Sequence, residues 1–379
     1  MVERFDHIVV GGGVMGLAAA WQLAARGRSV ILLEQFAPGH NRGASHGATR
    51  NMNNAYDEAH YLALYDEAFE LWRELEAESG ERLLTLCGLV THGDPEPIVR
   101  SHEALVRRGA AAQLISPTEA ATRWPGMRFE GAVLVTDDAG RVHAATALEV
   151  FAATAQRHGA QLRYDARVTS IDAAADHVTV SAIRGDGSEL MFEGGGAVIT
   201  AGAWSRELLR DHIELPRLTV TEEHPAHFQS RAALQEPGAE QWWPSFNHLR
   251  IRPEGDPKNA GVYGMLTPGE GVKVGFHAVG DEVDPDHRRF RASDLARAGL
   301  RDYVAQWFPG LDPDTAEEIS CTYTSTDSGR FVLDRVGSIT VGAGFSGHGF
   351  KFAPAIGRVL ADAALGIAFP PEPFRLAAH

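Results

Sequence analysis

The chain has 379 residues and carries 35 basic against 50 acidic side chains, a formal net charge of −15 at pH 7. This length predicts two domains, and an acidic chain without a block of Lys or Arg argues against nucleic acid or an anionic membrane surface as the partner. Because no apolar run reaches the roughly 20 residues that cross a bilayer, and the first residues do not resemble a signal peptide, we expect a cytoplasmic protein.

The first predicted element is an apolar strand over residues 6–10 that runs directly into closely spaced glycines. The loop and first helical turn that would hold a dinucleotide comprise Gly11, Gly13, Val14, Met15 and Gly16. At this G-x-G-x-x-G spacing Gly11 permits the tight turn, Gly13 lets a pyrophosphate approach the backbone, and Gly16 lets the helix pack on the sheet. The amide groups and the dipole of that helix would then bind the phosphates.

The second predicted strand, residues 29–33, ends in an acid. Glu34 follows Gly16 by eighteen residues, close to the roughly 20 expected for a carboxylate that binds the ribose. A carboxylate here would repel a 2′-phosphate, which favours FAD or NAD over NADP. The alternative is a glycine-rich turn in an ordinary α/β domain, and the order of strand, helix, strand and acid disfavours it.

Helices and strands then alternate along the chain. We predict a helix over 58–79 ended by Gly80, a strand over 88–92, a helix that begins at the capping box 116–119, a helix over 146–158 and a strand over 167–171. The run 197–204 is typical of a buried strand beside a dinucleotide. The residues of this part that we assign to the cofactor are Val168, Ala201, Gly202 and Trp204.

Alternating strands dominate the next part of the chain, from 216 to about 324. They include 218–228, 248–252 and 272–277, and a strand over 339–344 leads into a helix over 352–365. The pattern predicts an α/β (α+β) fold with two domains. A Rossmann-like dinucleotide-binding domain would be assembled from 1–86, 145–215 and 320–379, and a mostly antiparallel β substrate domain from 87–144 and 216–319.

The chain has only two cysteines, Cys87 and Cys321. Their separation is not a metal-ligand spacing, and a cytosolic disulfide is improbable, so we expect neither a metal site nor a disulfide. Cys87 is flanked by leucines and is interpreted as a small buried hydrophobe. Cys321, by contrast, is a candidate to anchor a flavin.

Four stretches together resemble the monomeric sarcosine oxidase and N-methyltryptophan oxidase group of D-amino-acid-oxidase-like flavoproteins, from end to end of the chain. They are 11–16, 45–50, the Cys321 block with Asp327, Phe331 and Asp334, and the glycine-rich 344–352. The resemblance implies FAD joined to Cys321 by an 8α-thioether. It also implies a monomer that oxidises a secondary or N-methylated small-molecule amine to an imine by hydride transfer, while O2 reoxidises the flavin and forms H2O2.

Two of these stretches would surround the flavin. By resemblance the first contributes Ser45, His46, Thr49 and Arg50, and the second contributes Gly344, Gly347, His348, Gly349 and Lys351. Arg50 would lie over the isoalloxazine ring, with an ordinary surface arginine as the alternative. The helix near 352 would direct amide groups at the negative charge of the reduced ring, and His348 and Lys351 would add positive charge unless the stretch is a solvated loop.

Three further residues are assigned to the chemistry. Lys273 alternates with apolar residues on a predicted strand, so a solvent-facing lysine is the alternative. The resemblance instead implies a lysine beside flavin N5, where a cation stabilises the superoxide that forms when oxygen takes the first electron. His277 and Tyr263 match an active-site histidine and an active-site tyrosine of the group, although His277 fits a hydrogen-bonded core histidine equally well.

Asn53 departs from the group, which has an arginine here that clamps the substrate carboxylate together with the counterpart of Lys351. An amide cannot replace a charged, bidentate guanidinium. We therefore expect sarcosine to be a poor substrate and a larger amine to be preferred. Residues expected on the substrate side also differ from the group: Glu222, Glu223, His224, Trp242 and Trp243, the last two as an aromatic wall or as core.

Other classes of protein explain less of the sequence. A nicotinamide-dependent dehydrogenase would use 11–16 and Glu34 but neither Cys321 nor 344–351. A non-catalytic nucleotide-binding protein would not need Arg50, Lys273 and Lys351 together. An FAD-dependent amine dehydrogenase, or an oxidase of the same fold that modifies a natural product, remains open as the alternative.

Overall fold

The structure is a computed structural model that describes residues 2–231, 243–250 and 261–379. In chain order its strands are β1 (Val2–Val10), β2 (Val30–Leu33), β3 (Thr49–Met52), β4 (Leu84–Thr85), β5 (Leu89–Gly93), β6 (Ala112–Ile115), β7 (Val133–Thr136), β8 (Gly140–His143), β9 (Gln161–Arg163), β10 (Arg167–Ala173), β11 (Val178–Ile183), β12 (Glu189–Ile199), β13 (Leu218–Glu223), β14 (Ala226–Phe228), β15 (Ser245–Leu249), β16 (Val262–Thr267), β17 (Gly271–Phe276), β18 (Asp281–Glu282), β19 (Glu317–Glu318), β20 (Cys321–Thr326), β21 (Val332–Val336) and β22 (Ile339–Ala343). The helices are α1 (Val14–Ala25), α2 (Ala59–Ser79), α3 (Pro95–Arg107), α4 (Pro117–Arg123), α5 (Ala144–Arg157), α6 (Ser205–Leu209), α7 (Asp294–Trp307) and α8 (Ala353–Leu365).

The first large sheet is parallel at its centre. β9, β2, β1, β12 and β22 run parallel in that order, and the antiparallel strands β10, β11 and β21 extend it. Successive residues of β1 point to opposite faces, so Val9 joins the core formed with α1, α2, α5 and α8, whereas Ile8 and Val10 join the core beneath β10 and β11. Because α1 is covered on all sides, nearly all of its residues are apolar.

The second large sheet has the order β19-β14-β17-β16-β15-β5-β7-β6. Its pairs are antiparallel except for β15 beside β5. One face packs on α7 through a core that contains Phe246 and Phe308, whose rings lie 4.9 Å apart. The strands β15, β16 and β17 of this sheet carry Asn247, Tyr263 and Lys273.

Two three-stranded sheets lie across the predicted domain boundaries. One has the order β3-β8-β4 and the other β18-β13-β20. The first pairs Arg50 with Val142, and the second pairs Glu223 with Cys321. The division into domains remains a prediction, but these pairings hold Arg50 and Cys321 to strands from the predicted substrate domain.

Most predicted elements are confirmed, with small changes in their ends. Gly80 ends α2 in the left-handed conformation at φ 77°, and the Ser116 hydroxyl accepts a hydrogen bond from the Glu119 amide at the start of α4. The predicted strand over 218–228 is wrong, because the chain breaks after Glu223 and β14 joins a different sheet. The strand predicted over 197–204 ends at Ile199 and gives way to a 3₁₀ turn, Gly202–Trp204.

The strand predicted over 248–252 begins earlier, as β15, and its last two positions lie outside the described residues. Within residues 2–231, 243–250 and 261–379, none of the helices combines the length and the apolar character needed to cross a bilayer.

Candidate active site

A cavity of about 1700 Å³ opens at the carboxyl ends of the parallel strands and extends to the second large sheet. This is the edge at which open α/β sheets bind their ligands. Every residue assigned to the cofactor or to the chemistry lines the cavity except Gly16, and Asn53 lines it as well. The topology therefore brings together side chains from β3, β16, β17, β20 and the segment before α8.

The glycines at the start of α1 are required by close backbone contacts. Gly11 has φ 103°, and a Cβ atom there would lie 2.5 Å from the Thr200 carbonyl oxygen. At Gly16 a Cβ atom would lie 1.9 Å from the Gly11 carbonyl oxygen. Gly16 thus sits behind the cavity wall and allows α1 to approach the sheet, whereas Gly13, Val14 and Met15 face the cavity.

Glu34 is fixed at the end of β2. Its carboxylate accepts hydrogen bonds from the Gly12 amide at 2.7 Å and the Phe36 amide at 2.9 Å. Ser45 comes from a separate segment, and its hydroxyl accepts a hydrogen bond from the Val14 amide at 3.0 Å. Both side chains therefore hold the phosphate loop in shape as well as lining the cavity.

Beside the glycine turn, the cleft is also lined by Val168, Ala201, Gly202 and Trp204. The Trp204 indole donates a hydrogen bond to Asp286 at 3.0 Å and meets the Phe36 ring edge-on, with centroids 5.7 Å apart. Trp204 is thereby anchored as a wall of the cavity.

Cys321 is the first residue of β20 and its thiol borders the cavity. The sulfur is free and lies 3.8 Å from the Ala44 carbonyl oxygen. Cys87 is also free but is only partly buried, and the Arg141 guanidinium approaches its sulfur at 3.7 Å. The interpretation of Cys87 as a simple buried hydrophobe is therefore wrong.

Arg50 is held by backbone carbonyl groups. Its guanidinium donates to the Thr49 oxygen at 2.9 Å and to the Ala44 oxygen at 2.7 Å, and it lies 5.6 Å from the centre of the Phe350 ring. His46 lines the same wall, with Nδ1 2.8 Å from the Gly43 oxygen. Burial, reinforced by Arg50, lowers the pKa of His46 to about 4, so its ring is neutral at pH 7.

Lys273 is buried, with 4% of its surface exposed. Its Nζ donates to the Thr49 carbonyl oxygen at 3.0 Å. Burial, followed by the charge of Arg50, lowers the pKa of Lys273 to about 7. The alternative of a solvent-facing strand lysine is excluded, and the amine can gain or lose its proton near neutral pH.

Lys351 is the second buried amine of the cavity. Its Nζ donates to the Tyr56 hydroxyl at 2.9 Å and to the His348 carbonyl oxygen at 2.7 Å, and burial lowers its pKa to about 7. The chain has only three lysines, and Lys258 lies outside the described residues. Both described lysines therefore face this cavity. A lysine amine is compact and its pKa shifts readily on burial, so its function differs from that of an arginine.

His348 does not carry the positive charge predicted for it. Its Nδ1 lies 3.2 Å from the Tyr56 hydroxyl and its Nε2 lies 3.2 Å from the Gly329 carbonyl oxygen. Burial, together with the charge of Lys351, lowers the pKa of His348 to about 3. The imidazole is therefore neutral at pH 7, and it contacts the Tyr56 hydroxyl that accepts a hydrogen bond from Lys351.

Aromatic side chains form a further part of the cavity wall. The Tyr263 and His277 rings are nearly perpendicular with centroids 6.4 Å apart, and the Tyr323 hydroxyl lies 3.4 Å from His277 Nδ1. Burial raises the pKa of Tyr263 to about 12, so this phenol is protonated at neutral pH. Burial also raises the pKa of Tyr323, so both phenols of this wall are uncharged at neutral pH.

Sequence reasoning missed Tyr56 and Tyr323, which both line the cavity. Tyr323 could have been found, because residues two apart on a strand share a face and Cys321 was already assigned. Tyr56 follows Asn53 in a stretch without regular structure, where no periodicity indicates which side chains face a site.

Asn53 faces the cavity, and its Oδ1 accepts a hydrogen bond from the Ala55 amide at 2.8 Å. The other residues expected on the substrate side are displaced: Glu222, Glu223, His224 and Trp243 are absent from the cavity wall. Glu222 forms a buried ion pair with Arg288, and Trp243 is 1% exposed in the core. Trp242 lies outside the described residues.

The residues fit a dinucleotide cofactor. Gly13, the N-cap residue of α1, has no side chain that could cover the start of the helix. The positive end of the helix dipole therefore faces the cavity. A glycine-lined approach, a buried acid at the end of β2 and a cavity of about 1700 Å³ complete the binding cleft.

Known proteins are similar to this chain along nearly its whole length. The chain is 29% identical to the monomeric sarcosine oxidase of Bacillus sp. (strain NS-129) over 96% of its own length and 94% of that protein. It is 32% identical to the peroxisomal sarcosine oxidase of Homo sapiens, covering 99% and 96% of the two chains. Among solved structures, NikD in its open form superposes with a TM-score of 0.84 at 26% identity, covering 98% and 96%.

These similarities confirm the resemblance drawn from the motifs. The profile of the FAD dependent oxidoreductase (DAO) family matches residues 6–363, nearly the complete sequence. The chain therefore belongs to the family of FAD dependent oxidoreductases.

Proposed function

We propose that this FAD-dependent oxidoreductase oxidises a secondary or N-methylated amine or amino acid to an imine and passes the electrons to O2, with H2O2 as the second product. The observation that carries the proposal is the pair of buried amines, Lys273 and Lys351, in one cavity with Arg50 and Cys321. Sarcosine oxidases are among the relatives along nearly the whole chain.

Bound FAD supplies the hydride acceptor. The start of α1 would hold its phosphates, Glu34 would hold its ribose, and Cys321 would hold the ring covalently. Two features support attachment at Cys321: its thiol is free, and it borders the cavity. Arg50, held by backbone oxygens, presents a fixed positive charge to the same region.

Lys273 is the residue that assists oxygen. Its amine is almost excluded from solvent and donates to a backbone oxygen. A cation in such an environment stabilises developing negative charge far more than one in water. The low exposure of Lys273 supports this role over a structural one.

Lys351 and the aromatic wall hold the substrate. The ammonium group of Lys351 binds a carboxylate or another electronegative group, while Tyr263, His277 and Tyr323 enclose the amine. Asn53 contributes a hydrogen bond without charge, so the site selects a bulkier N-substituted amino acid or a cyclic secondary amine over sarcosine. NikD, similar in structure, is described as an unusual amino acid oxidase essential for nikkomycin biosynthesis.

We also propose an oligomeric state, a location and a division into domains. The protein acts as a monomer in the cytoplasm, with an FAD domain from 1–86, 145–215 and 320–379 and a substrate domain from the remaining segments. A relative named as monomeric supports the first point. Size-exclusion chromatography with light scattering tests it, and a dimer mass would contradict it.

An amine panel tests the reaction. The purified protein should be yellow, lose its colour anaerobically with an N-substituted amino acid or cyclic amine, and regain it in air with one H2O2 per amine oxidised. Bleaching that air reverses only slowly, while an artificial acceptor reverses it quickly, would identify a dehydrogenase instead. A colourless protein that reduces NAD would overturn the flavin-dependent reaction altogether.

A further inference from the structure

A buried ion pair lies directly behind the Cys321 segment, outside the cavity. Glu222 on β13 and Arg288, which follows the short 3₁₀ turn Pro285–His287, have side chains that are 3% and 0% exposed. Neither residue lines the cavity, and the proposed reaction uses neither. Burying two charges costs free energy of desolvation, and the segments that this ion pair holds in place account for its presence.

Arg288 connects three separate segments of the chain. Its Nε donates to Glu222 Oε1 at 3.2 Å, and Nη2 donates to the Ser320 hydroxyl at 2.6 Å. Its Nη1 donates to the carbonyl oxygens of Asn41 at 3.3 Å and Arg42 at 2.7 Å. The fork of a guanidinium suits this task, because it directs several donors at once in fixed directions.

The Glu222 carboxylate, like the Arg288 guanidinium, forms several hydrogen bonds. It accepts a hydrogen bond from the Ser320 hydroxyl at 2.5 Å and from the amides of Arg289 and Phe290 at 3.1 and 3.0 Å. Burial alone would raise the pKa of Glu222, but the hydrogen bond from Ser320 and those from the two amides hold it below its usual value. The carboxylate is therefore ionised at neutral pH and pairs with Arg288.

Ser320 links this pair to the thiol, since it precedes Cys321 in the chain. The segment that Arg288 grips on its other side reaches the same sulfur. Ala44 follows Arg42 by two residues, and its carbonyl oxygen lies 3.8 Å from the Cys321 sulfur and 2.7 Å from Nη2 of Arg50. One buried cluster thus holds both the thiol and the loop that leads to Arg50.

We propose that Glu222, Arg288 and Ser320 form a positioning cluster that sets the Cys321 thiol against the flavin ring and is needed for covalent attachment, but not for FAD binding. This inference rests on the attachment at Cys321 included in the proposed function. The three residues act through the backbone of Cys321 and of the 41–50 segment, and they do not touch the reacting atoms.

The attachment step has a defined balance. The S–H bond of Cys321 and one C–H bond of the flavin 8-methyl group are replaced by one S–C bond. The flavin ring takes up the two electrons and the two protons released, and O2 then removes them as H2O2. Because the new bond forms at one sulfur and one carbon, small displacements of the thiol slow this step strongly, while FAD affinity depends on contacts along the whole cofactor.

The test compares variants by covalent and total flavin. Ser320→Ala removes only a hydroxyl from a partly exposed site, and Ser320→Thr keeps the hydroxyl as the conservative variant. We expect Ser320→Ala to lower the rate of covalent FAD incorporation tenfold or more. This rate is measured as the flavin fluorescence that stays with the denatured protein. The total FAD content and the thermal midpoint should stay near those of the unaltered protein. Ser320→Thr should restore most of the rate.

Arg288→Lys keeps the charge but loses the fork, and it should slow attachment as Ser320→Ala does. The matched control is Arg358→Lys, which alters an ion pair between Arg358 and Glu67 that joins α8 to α2 and does not line the cavity. This control variant should attach FAD covalently at the rate of the unaltered protein. If Ser320→Ala and Arg288→Lys both attach FAD covalently as fast as the unaltered protein, the positioning role is overturned, while covalent attachment at Cys321 is still supported.

A different outcome separates the two proposals. If denatured, unaltered protein carries no covalent flavin, attachment at Cys321 is wrong and the positioning role fails with it. If Ser320→Ala loses total FAD in parallel with covalent FAD, the cluster serves binding or folding, and the proposed role in attachment is likewise overturned.

Discussion

Replacing Lys273 by Met tests what a buried charge contributes to the reaction with oxygen. Met has a similar length and no charge, so it fills the space near Thr49 while removing the ammonium group. Only 4% of Lys273 is exposed, so water does not screen its charge as it would at the surface. The variant should retain FAD, since the nucleotide contacts of α1 and β2 lie elsewhere.

The size of the effect follows from that burial. Two unit charges about 4 Å apart interact by about 4 kcal/mol at an effective dielectric constant of ~20, but by only about 1 kcal/mol in bulk water. Since about 1.4 kcal/mol corresponds to a factor of ten in rate, loss of a buried ammonium should slow reoxidation by up to about a thousandfold. Loss of a solvent-screened ammonium would slow it only about fivefold.

Stopped-flow spectroscopy separates the two half-reactions. The enzyme is reduced anaerobically with a substrate amine, mixed with dissolved O2 and followed by the return of the oxidised flavin absorbance. Lys351→Met is the matched control: it removes the other buried amine and should mainly weaken substrate binding. Reoxidation of the Lys273→Met variant within about fivefold of the unaltered rate would refute the electrostatic role.

The pH dependence has a definite sign. The pKa of Lys273 is lowered to about 7 by burial, so the charged form is present below that pH and is lost as the pH rises. A negatively charged reduced ring nearby moves the midpoint upward, toward the ordinary lysine value. The rate of reoxidation should therefore fall with increasing pH, and this fall should be missing in Lys273→Met. Faster reoxidation at high pH would contradict the assignment.

Three further predictions follow from single positions. Acid precipitation should leave yellow colour in the pellet of the unaltered protein and release it to the supernatant from Cys321→Ala; a colourless pellet from the unaltered protein would disprove the thioether. Asn53→Arg should raise kcat/KM for sarcosine about tenfold or more, because a charge-assisted hydrogen bond contributes roughly 1.5–3 kcal/mol, and efficient sarcosine oxidation by the unaltered enzyme would show that Asn53 is not the determinant. Gly16→Ala places a Cβ atom 1.9 Å from the Gly11 carbonyl oxygen, so it should lower the free energy of unfolding by about 1–3 kcal/mol and weaken FAD binding. An unchanged thermal midpoint and flavin content would show that α1 shifts without loss.

Local spacing alone determined the nucleotide-binding part of the site. A strand, a glycine turn, a helix and a second strand occupy adjacent stretches, so the order of residues from Gly11 to Glu34 already defines their geometry. The cap at Ser116 and the end of α2 at Gly80 were predictable for the same reason, since each depends on contacts within a few residues.

Only the tertiary structure decided which side chains face the cavity in the second half of the chain. Alternation along β17 cannot tell whether Lys273 points to water or to the interior. The tertiary structure turns it inward, where its Nζ donates to the Thr49 carbonyl oxygen of β3. Glu222 was expected on the substrate side, but its carboxylate pairs with Arg288, 66 positions away in sequence. The charge of His348 was mispredicted because its pKa depends first on burial, which the sequence does not reveal. Contacts of this range arise when sheets from distant segments close on one another, and burial then sets both the orientation and the charge of the side chains between them.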